Sequence, residues 1–502
     1  MNLSEINIYW RDYKYFPYEK KLALREIESL LSPSQISVDR RKVTLTSMPE
    51  ISKIESLVYF SHAAVDSQLI ETVQNKAEHK NSGSRKRQNT RYSVHGLHEY
   101  KGKFNPQVVR SLFNIYSISE NSRILDPFCG SGTTLVEAAH IGAKAIGTDV
   151  NPLAVFISNT KISILGVEWN KIKEEFDSLV NQFLTRRLDF YIEDQNKDRI
   201  IYLKKWFPEE VLLDVECLRE LSQEFPLIKN LTLVVISNIL RDYSHQEPKD
   251  LRIRRRKSPF PSIPFIDELK NKMYSILIAI KDFQDNFGII KSNNRAINSN
   301  INTCASNDIQ DNSIDFAITS PPYATALPYI DTQRLSLVWL DMIESKEIRN
   351  LETELIGSRE FKAKNEQDKW NSILLDNSMK LPKNVYEFCR DLFQNLTSKD
   401  GFRKKAVPSL LYRYFFQMKN MFQTVESKLK PNSYYALIVG HNHTTIGGKR
   451  TDIDTPQLLV EVAQSIGLEL SENTPLEVYH RYGLNSKNAV NKESLLVFRK
   501  RK

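Results

Sequence analysis

Cysteine is scarce and scattered. Cys129, Cys217, Cys304 and Cys389 stand far apart in a chain of 502 residues. No two have the short spacing of a metal-binding pair, so a reduced, cytoplasmic protein without structural zinc is expected. No run of about 18 apolar residues occurs, so no membrane span or membrane partner is expected. The start, Met1-Asn2-Leu3-Ser4-Glu5, has no apolar signal core. There is no internal repeat and no nuclease motif. Positive charge is in excess: 70 Lys and Arg face 61 Asp and Glu, for a net charge of +9 and a pI near 9.0. Such a balance suits a polyanionic partner. The length allows two or three domains and a large core.

Two short segments carry most of the information. The first is Arg123-Ile124-Leu125-Asp126-Pro127-Phe128-Cys129-Gly130-Ser131-Gly132-Thr133-Thr134. It reads as a short apolar strand, a tight glycine turn and the start of a helix. Gly130 and Gly132 let the backbone approach a ligand, and the free N–H groups of the helix face the same place. No Gly-Lys-Ser/Thr follows, so it is not a phosphate-binding P-loop. Leu135 stands where a dinucleotide fingerprint has its third glycine. A second strand, 144–148, leads to Asp149, 23 residues after Asp126. That spacing suits an acid that accepts hydrogen bonds from ribose hydroxyls. The second segment is Asp315-Phe316-Ala317-Ile318-Thr319-Ser320-Pro321-Pro322-Tyr323. It too reads as an apolar strand ending in a stiff polar loop.

Together the segments resemble the S-adenosylmethionine-dependent amino-methyltransferases of DNA, in their cytosine-N4 form. The resemblance covers about residues 92–160 and 300–345, with a weaker match over 405–500. It implies S-adenosyl-L-methionine as cofactor, held by Phe104, Asp126, Phe128, Gly130, Gly132, Thr133, Asp149 and Asp308. It implies a catalytic loop of Ser320, Pro321, Pro322 and Tyr323, and duplex DNA as substrate. It also implies a restriction or phage-defence setting, in which any endonuclease or defence partner is a separate protein.

The chemistry of the second loop supports this. An exocyclic amine is a poor nucleophile because its lone pair is delocalised into the base. Two acceptors on its hydrogens help the nitrogen become tetrahedral. Ser320 offers a hydroxyl, and Pro321 a carbonyl held in extended geometry by the proline pair. Tyr323 and Tyr329 offer flat walls for a base, which must be flipped out of a duplex to reach them. Methylation at carbon 5 of cytosine uses a Pro-Cys thiolate, and no cysteine here follows a proline.

The expected fold is α/β: a doubly wound, mostly parallel Rossmann-like methyltransferase sheet with a largely helical insertion and a small N-terminal α+β region. Residues 1–91 form the N-terminal region and a basic linker. Within it, 18–31 reads as a helix, 42–46 as a strand and 54–60 as another element; 1–75 either folds as an α+β unit or pads the main sheet. Residues 92–160 are the cofactor half of the core, in which His95 and His98 read as members of a polar loop. Residues 161–295 are the helical insertion and candidate target-recognition region, with helices over 171–184, 208–225 and 231–243. Its densest basic run, Arg252, Arg254, Arg255, Arg256 and Lys257, calls for a phosphate backbone as neutraliser. Residues 296–502 are the catalytic half. There 341–405 reads as polar and irregular, 410–429 as a helix, 434–440 as a buried strand, and 476–480 and 494–499 as closing strands.

Asp126 and Ser320 are 194 residues apart, an unusually long interruption for such a core. Ser320 favours cytosine over adenine, which leaves adenine-N6 methylation as an alternative. The motif order also resembles RNA guanine-N2 methyltransferases, in which residues 1–75 would be an RNA-binding unit. A non-enzymatic DNA-binding module with a vestigial pocket is the third reading.

Overall fold

Strands separate into two sheets and a ribbon. The computed structural model describes residues 4–78, 87–100, 102–103, 105–193, 197–250, 253–303, 308–324, 329–361, 363, 365–477 and 492–502.

The N-terminal residues build a sheet of their own. Its elements are β1 (Ser4–Trp10), α1 (Pro17–Leu31), β2 (Gln35–Val38), β3 (Lys42–Ser47), α2 (Ile51–Glu55), β4 (Phe60–Val65), β5 (Gln68–Glu71) and α3 (Val73–Glu78). The order is β2-β3-β1-β4-β5, antiparallel throughout. Alternation sends Ile6, Ile8, Val43 and Leu45 inward. Of the two expectations for this region, the α+β unit is the one observed. The element read over 54–60 is instead the end of α2 and the start of β4. The unit is not detached. Its apolar residues join one buried cluster with those of the main sheet, Ser29 Oγ donates to the Ile115 carbonyl at 2.7 Å, and Arg25 pairs with Glu472.

The main sheet begins with α4 (Pro106–Ile115), β6 (Arg123–Asp126), α5 (Thr133–His140), β7 (Lys144–Asp149) and α6 (Pro152–Leu165). A helical insertion follows: α7 (Trp169–Arg186), α8 (Lys197–Lys204), α9 (Glu209–Leu221), α10 (Lys229–Ile239) and α11 (Phe265–Phe287). The chain returns through β8 (Arg295–Asn298) and β9 (Ile314–Thr319). Helices α12 (Tyr329–Trp339), α13 (Ile348–Glu354), α14 (Glu366–Leu375), α15 (Lys383–Gln394) and α16 (Phe402–Lys428) make a second insertion. The chain closes with β10 (Leu429–Gly440), β11 (Asn442–Ile446), β12 (Lys449–Ile453), α17 (Thr455–Gln464), β13 (Glu469–Glu477) and β14 (Lys492–Arg499).

Strand order is β13-β14-β10-β9-β6-β7-β8. The run from β10 to β8 is parallel, and β14 is antiparallel to both its neighbours, β10 and β13. This is the doubly wound, mostly parallel sheet expected. Ile124, Leu125, Phe316, Ala317 and Ile318 are fully buried, as both faces of a parallel sheet require. Strand order reverses between β6 and β9, so a crevice opens at their carboxyl ends. Among the described residues no helix is long and apolar enough to cross a membrane.

Two expectations need correction. Residues 341–405 are not irregular: they hold α13, α14 and α15. Helix α15 buries only Val385, Cys389 and Leu392, a single stripe that leaves its average composition polar. Helix α16 starts eight residues before position 410 and runs through Pro408. Proline costs about 3 kcal/mol inside a helix, but Leu410, Leu411, Tyr414, Phe415 and Met418 are buried beyond it, and each such side chain contributes about 1.5–3 kcal/mol.

Candidate active site

The glycine loop is bolted to the end of β7. Cys129 N donates to the Thr148 carbonyl at 3.0 Å, and Thr148 Oγ1 donates to the Pro127 carbonyl at 2.9 Å. Gly132 caps α5 at φ 79°. A Cβ there would lie 2.1 Å from Ser158 Oγ, so only glycine fits the turn. Asp149 then meets the loop. Its carboxylate accepts Gly130 N at 3.0 Å and Asn151 N at 2.8 Å. Burial nevertheless pushes this carboxyl up to about 6.

Asp126 points the other way. It is fully buried and does not line the cleft. Oδ1 accepts Phe128 N at 3.1 Å and Thr319 Oγ1 at 2.7 Å, and Oδ2 accepts Thr134 Oγ1 at 2.6 Å. In this structure its carboxylate braces three segments instead of facing the cleft. Burial raises this carboxyl as well, to about 6.

One cleft joins the two loops. Phe128, Gly130, Thr133 and Asp149 face it from the first loop and β7, and Ser320, Pro321, Pro322 and Tyr323 from the second. The Tyr323 hydroxyl donates to Glu493 Oε1 of β14 at 3.0 Å. Tyr100 and Lys103 line the cleft from the segment before α4, Asn300 from the end of β8, and Glu354 from the end of α13. These four were not singled out in the sequence. Asn300 follows a strand too short and polar to recognise, and Glu354 belongs to the second insertion. Asn151 was more legible: it caps α6 by accepting Leu153 N at 3.1 Å ahead of a proline, a standard helix start.

Other expected residues fall elsewhere. Asp308 sits in a turn and is not part of the cleft lining, where the end of β8 takes its place. Phe104 and Arg252 lie outside the described residues. Tyr329 opens α12, and its side chain lies outside the description. His95 and His98 are not in a polar surface loop; both are buried. Glu137 Oε1 gathers the Tyr92 hydroxyl at 2.6 Å, His95 Nε2 at 2.7 Å and His140 Nδ1 at 3.2 Å. Burial opposes ionisation of Glu137, but His140, His95 and Arg110 outweigh it and hold the carboxyl well below its usual range.

The basic run is largely occupied by its own fold. Arg255 donates to the Lys205 carbonyl at 2.6 Å and lies over the Trp206 ring at 4.6 Å. Arg256 donates to the carbonyls of Asp242, Ser244 and Pro259 at 2.6, 2.7 and 2.9 Å. Arg254 pairs with Asp250 at 2.9 Å, and Lys257 is exposed. Main-chain oxygens thus orient Arg255 and Arg256 and an acid pairs with Arg254, while Arg254, Arg255 and Lys257 stay exposed. The segment still sits near the site: Gln246 Nε2 donates to the Asp331 carbonyl of α12 at 3.4 Å.

Comparison with known proteins agrees with this arrangement. A DNA methylase family, whose label spans N6 and N4 enzymes, matches residues 5–159. The type II methyltransferase M.MvaI of Kocuria varians is 24% identical over 393 residues, 74% of this chain and 82% of its own. The type II methyltransferase M.BsoBI of Geobacillus stearothermophilus is 23% identical over 449 residues, 82% and 85% of the two chains. Over most of its length the chain is thus similar to type II DNA methyltransferases. A tRNA (guanine(10)-N2)-dimethyltransferase of Methanothermobacter thermautotrophicus matches only a short stretch, 38% identical over 52 residues, 10% of this chain and 16% of that one.

Proposed function

We propose that this protein transfers a methyl group from S-adenosylmethionine to the exocyclic N4 amine of a cytosine flipped out of duplex DNA. The observation that carries this reading is the convergence of the Gly130–Asp149 pair and the Ser320–Tyr323 loop on one cleft. When bound, the cofactor supplies an electrophilic sulfonium methyl.

The residues fit that cofactor. Asp149 is anchored by two amides, and its remaining lone pairs are available to a ribose diol. Tyr100 and Phe128 supply flat apolar walls, and Thr133 brings the amide end of α5 to an anionic group. On the substrate side, the Ser320 hydroxyl and Pro321 carbonyl accept the hydrogens of the target amine and leave its lone pair for attack. Tyr323, tethered through its hydroxyl to Glu493, keeps its ring as a stacking face. In a restriction system a separate endonuclease would cut the sites that this enzyme leaves unmethylated.

The test uses methyl-labelled S-adenosylmethionine with mixed-sequence duplex DNA or total RNA, digestion to nucleosides, and mass identification of the product. N4-methylcytosine in DNA is expected. N6-methyladenine would keep the chemistry and overturn the choice of base. Label in RNA alone would overturn the DNA reading.

A further inference from the structure

The ribbon β11–β12 has no part in the cleft described above. It leaves the sheet directly after β10. In β10, Leu437 is the register partner of Thr319, the residue before Ser320, and the strand ends three residues later at Gly440. The ribbon therefore springs from the same edge of the sheet as the catalytic loop.

It is held firmly on one side. Ile446 and Ile453 are buried in the second core cluster. Gly447 N donates to Asp400 Oδ2 at 3.0 Å. Gly447 has φ +59°, and a Cβ there would lie 2.7 Å from the Asn395 carbonyl oxygen, so the tip is seated on the loop between α15 and α16. The two glycines of the turn, both at positive φ, match the twist of a tight hairpin.

The other face is wholly polar. The pairings His443↔Asp452 and Thr445↔Arg450 put these four side chains on the side opposite Ile446 and Ile453. Arg450 and Asp452 are 63% and 79% exposed, and Arg450 Nε lies 3.1 Å from Asp452 Oδ1, an exposed ion pair on this face. Lys449 beside it is exposed. Two five-residue strands extend about 17 Å, and a major groove about 12 Å wide admits a two-stranded ribbon. The expected reader of DNA, the run around Arg255 and Arg256, meanwhile has those guanidinium groups engaged by its own carbonyls.

We infer that the outer face of β11–β12, His443, Thr445, Arg450 and Asp452, contacts base edges in the duplex beside the target base and contributes to sequence specificity. Arginine bidentate to guanine and acid to cytosine are the pairings such a set can make. The inference rests on the proposed DNA methyltransferase function.

The test compares wild type with Arg450→Ala and with His443→Ala/Thr445→Ala. Each is incubated with a library of randomised duplexes, and the methylated sites are sequenced. The expected result is a preference relaxed by about tenfold or more at one or two positions of the site. Cofactor affinity and thermal midpoint should stay at wild-type values, which separates this from misfolding. A preference unchanged in both variants overturns the inference, whether or not affinity falls uniformly. A photoreactive group attached through Thr445→Cys gives a second readout: crosslinking to duplex is expected, and its absence under conditions where wild type methylates DNA speaks against the ribbon. A wild type that methylates no DNA would instead overturn the function on which the inference rests.

Discussion

The hydroxyl of Thr319, the last residue of the catalytic strand, donates a 2.7 Å hydrogen bond to the carboxylate of Asp126, the last residue of the cofactor strand. The two residues are 193 positions apart, and both are fully buried. The bond adds to the pairing of these adjacent parallel strands and ties their ends at the root of the loops that each releases. It also explains why an acid stands at position 126 although it does not face the cleft: three donors from three segments need one acceptor.

Thr319→Val keeps the shape and removes the donor. A buried carboxylate short of one partner costs about 1–3 kcal/mol. Urea unfolding is expected to show that loss, and Thr319→Ser is expected to recover most of it. A valine variant with an unchanged midpoint would remove Thr319 from the brace.

Asp149 carries a pH signature. Its carboxyl is raised by burial to about 6, so it is ionised above that value and protonated below it. A protonated acid offers fewer acceptor sites to ribose hydroxyls, and cofactor affinity is expected to fall as pH drops through 6. The sign for stability is opposite. A raised carboxyl binds protons more tightly when folded, so its contribution grows as pH falls from about 6 toward the unfolded value near 4. Calorimetric titration across this window checks the binding arm. Asp149→Asn should flatten the curve, and Asp149→Ala should weaken binding roughly 10- to 100-fold. Wild-type affinity in Asp149→Ala would sink the assignment.

Ser320→Ala separates chemistry from binding. Losing one acceptor on the target amine is expected to lower kcat on the order of 10²-fold, with cofactor Kd unchanged, because Ser320 touches only the substrate side in this reading. Single-turnover methyl transfer measures the first and calorimetry the second. A shift in Kd matching the fall in rate would move Ser320 to the cofactor.

Arg256→Ala is expected to lower stability rather than the ionic-strength dependence of DNA binding. Its bonds to the carbonyls of Arg241, Asp242, Ser244 and Pro259 hold the segment 241–259 together, and their loss costs about 1–2 kcal/mol. A salt titration whose slope drops by about one in this variant would return Arg256 to the phosphate backbone.

The sequence by itself determined the chemistry-bearing strands and loops. A buried parallel strand ending in Gly130 and Gly132, an acid after the next strand, and Ser-Pro-Pro-Tyr after a third are local patterns, each readable where it stands. The helices read over 171–184 and 208–225 were likewise legible from their apolar spacing, and they form as Trp169–Arg186 and Glu209–Leu221. Only the tertiary structure decided what depends on contacts between distant segments. That Asp126 turns away from the cleft follows from Thr319 and Thr134, and that Arg255 and Arg256 reach main-chain carbonyls follows from neighbouring segments. Strand β8 takes its place from pairing with β7, and the ribbon takes its orientation from Ile446 and Ile453. A local pattern states what a residue can do; the partner that the fold brings to it decides which of those things it does.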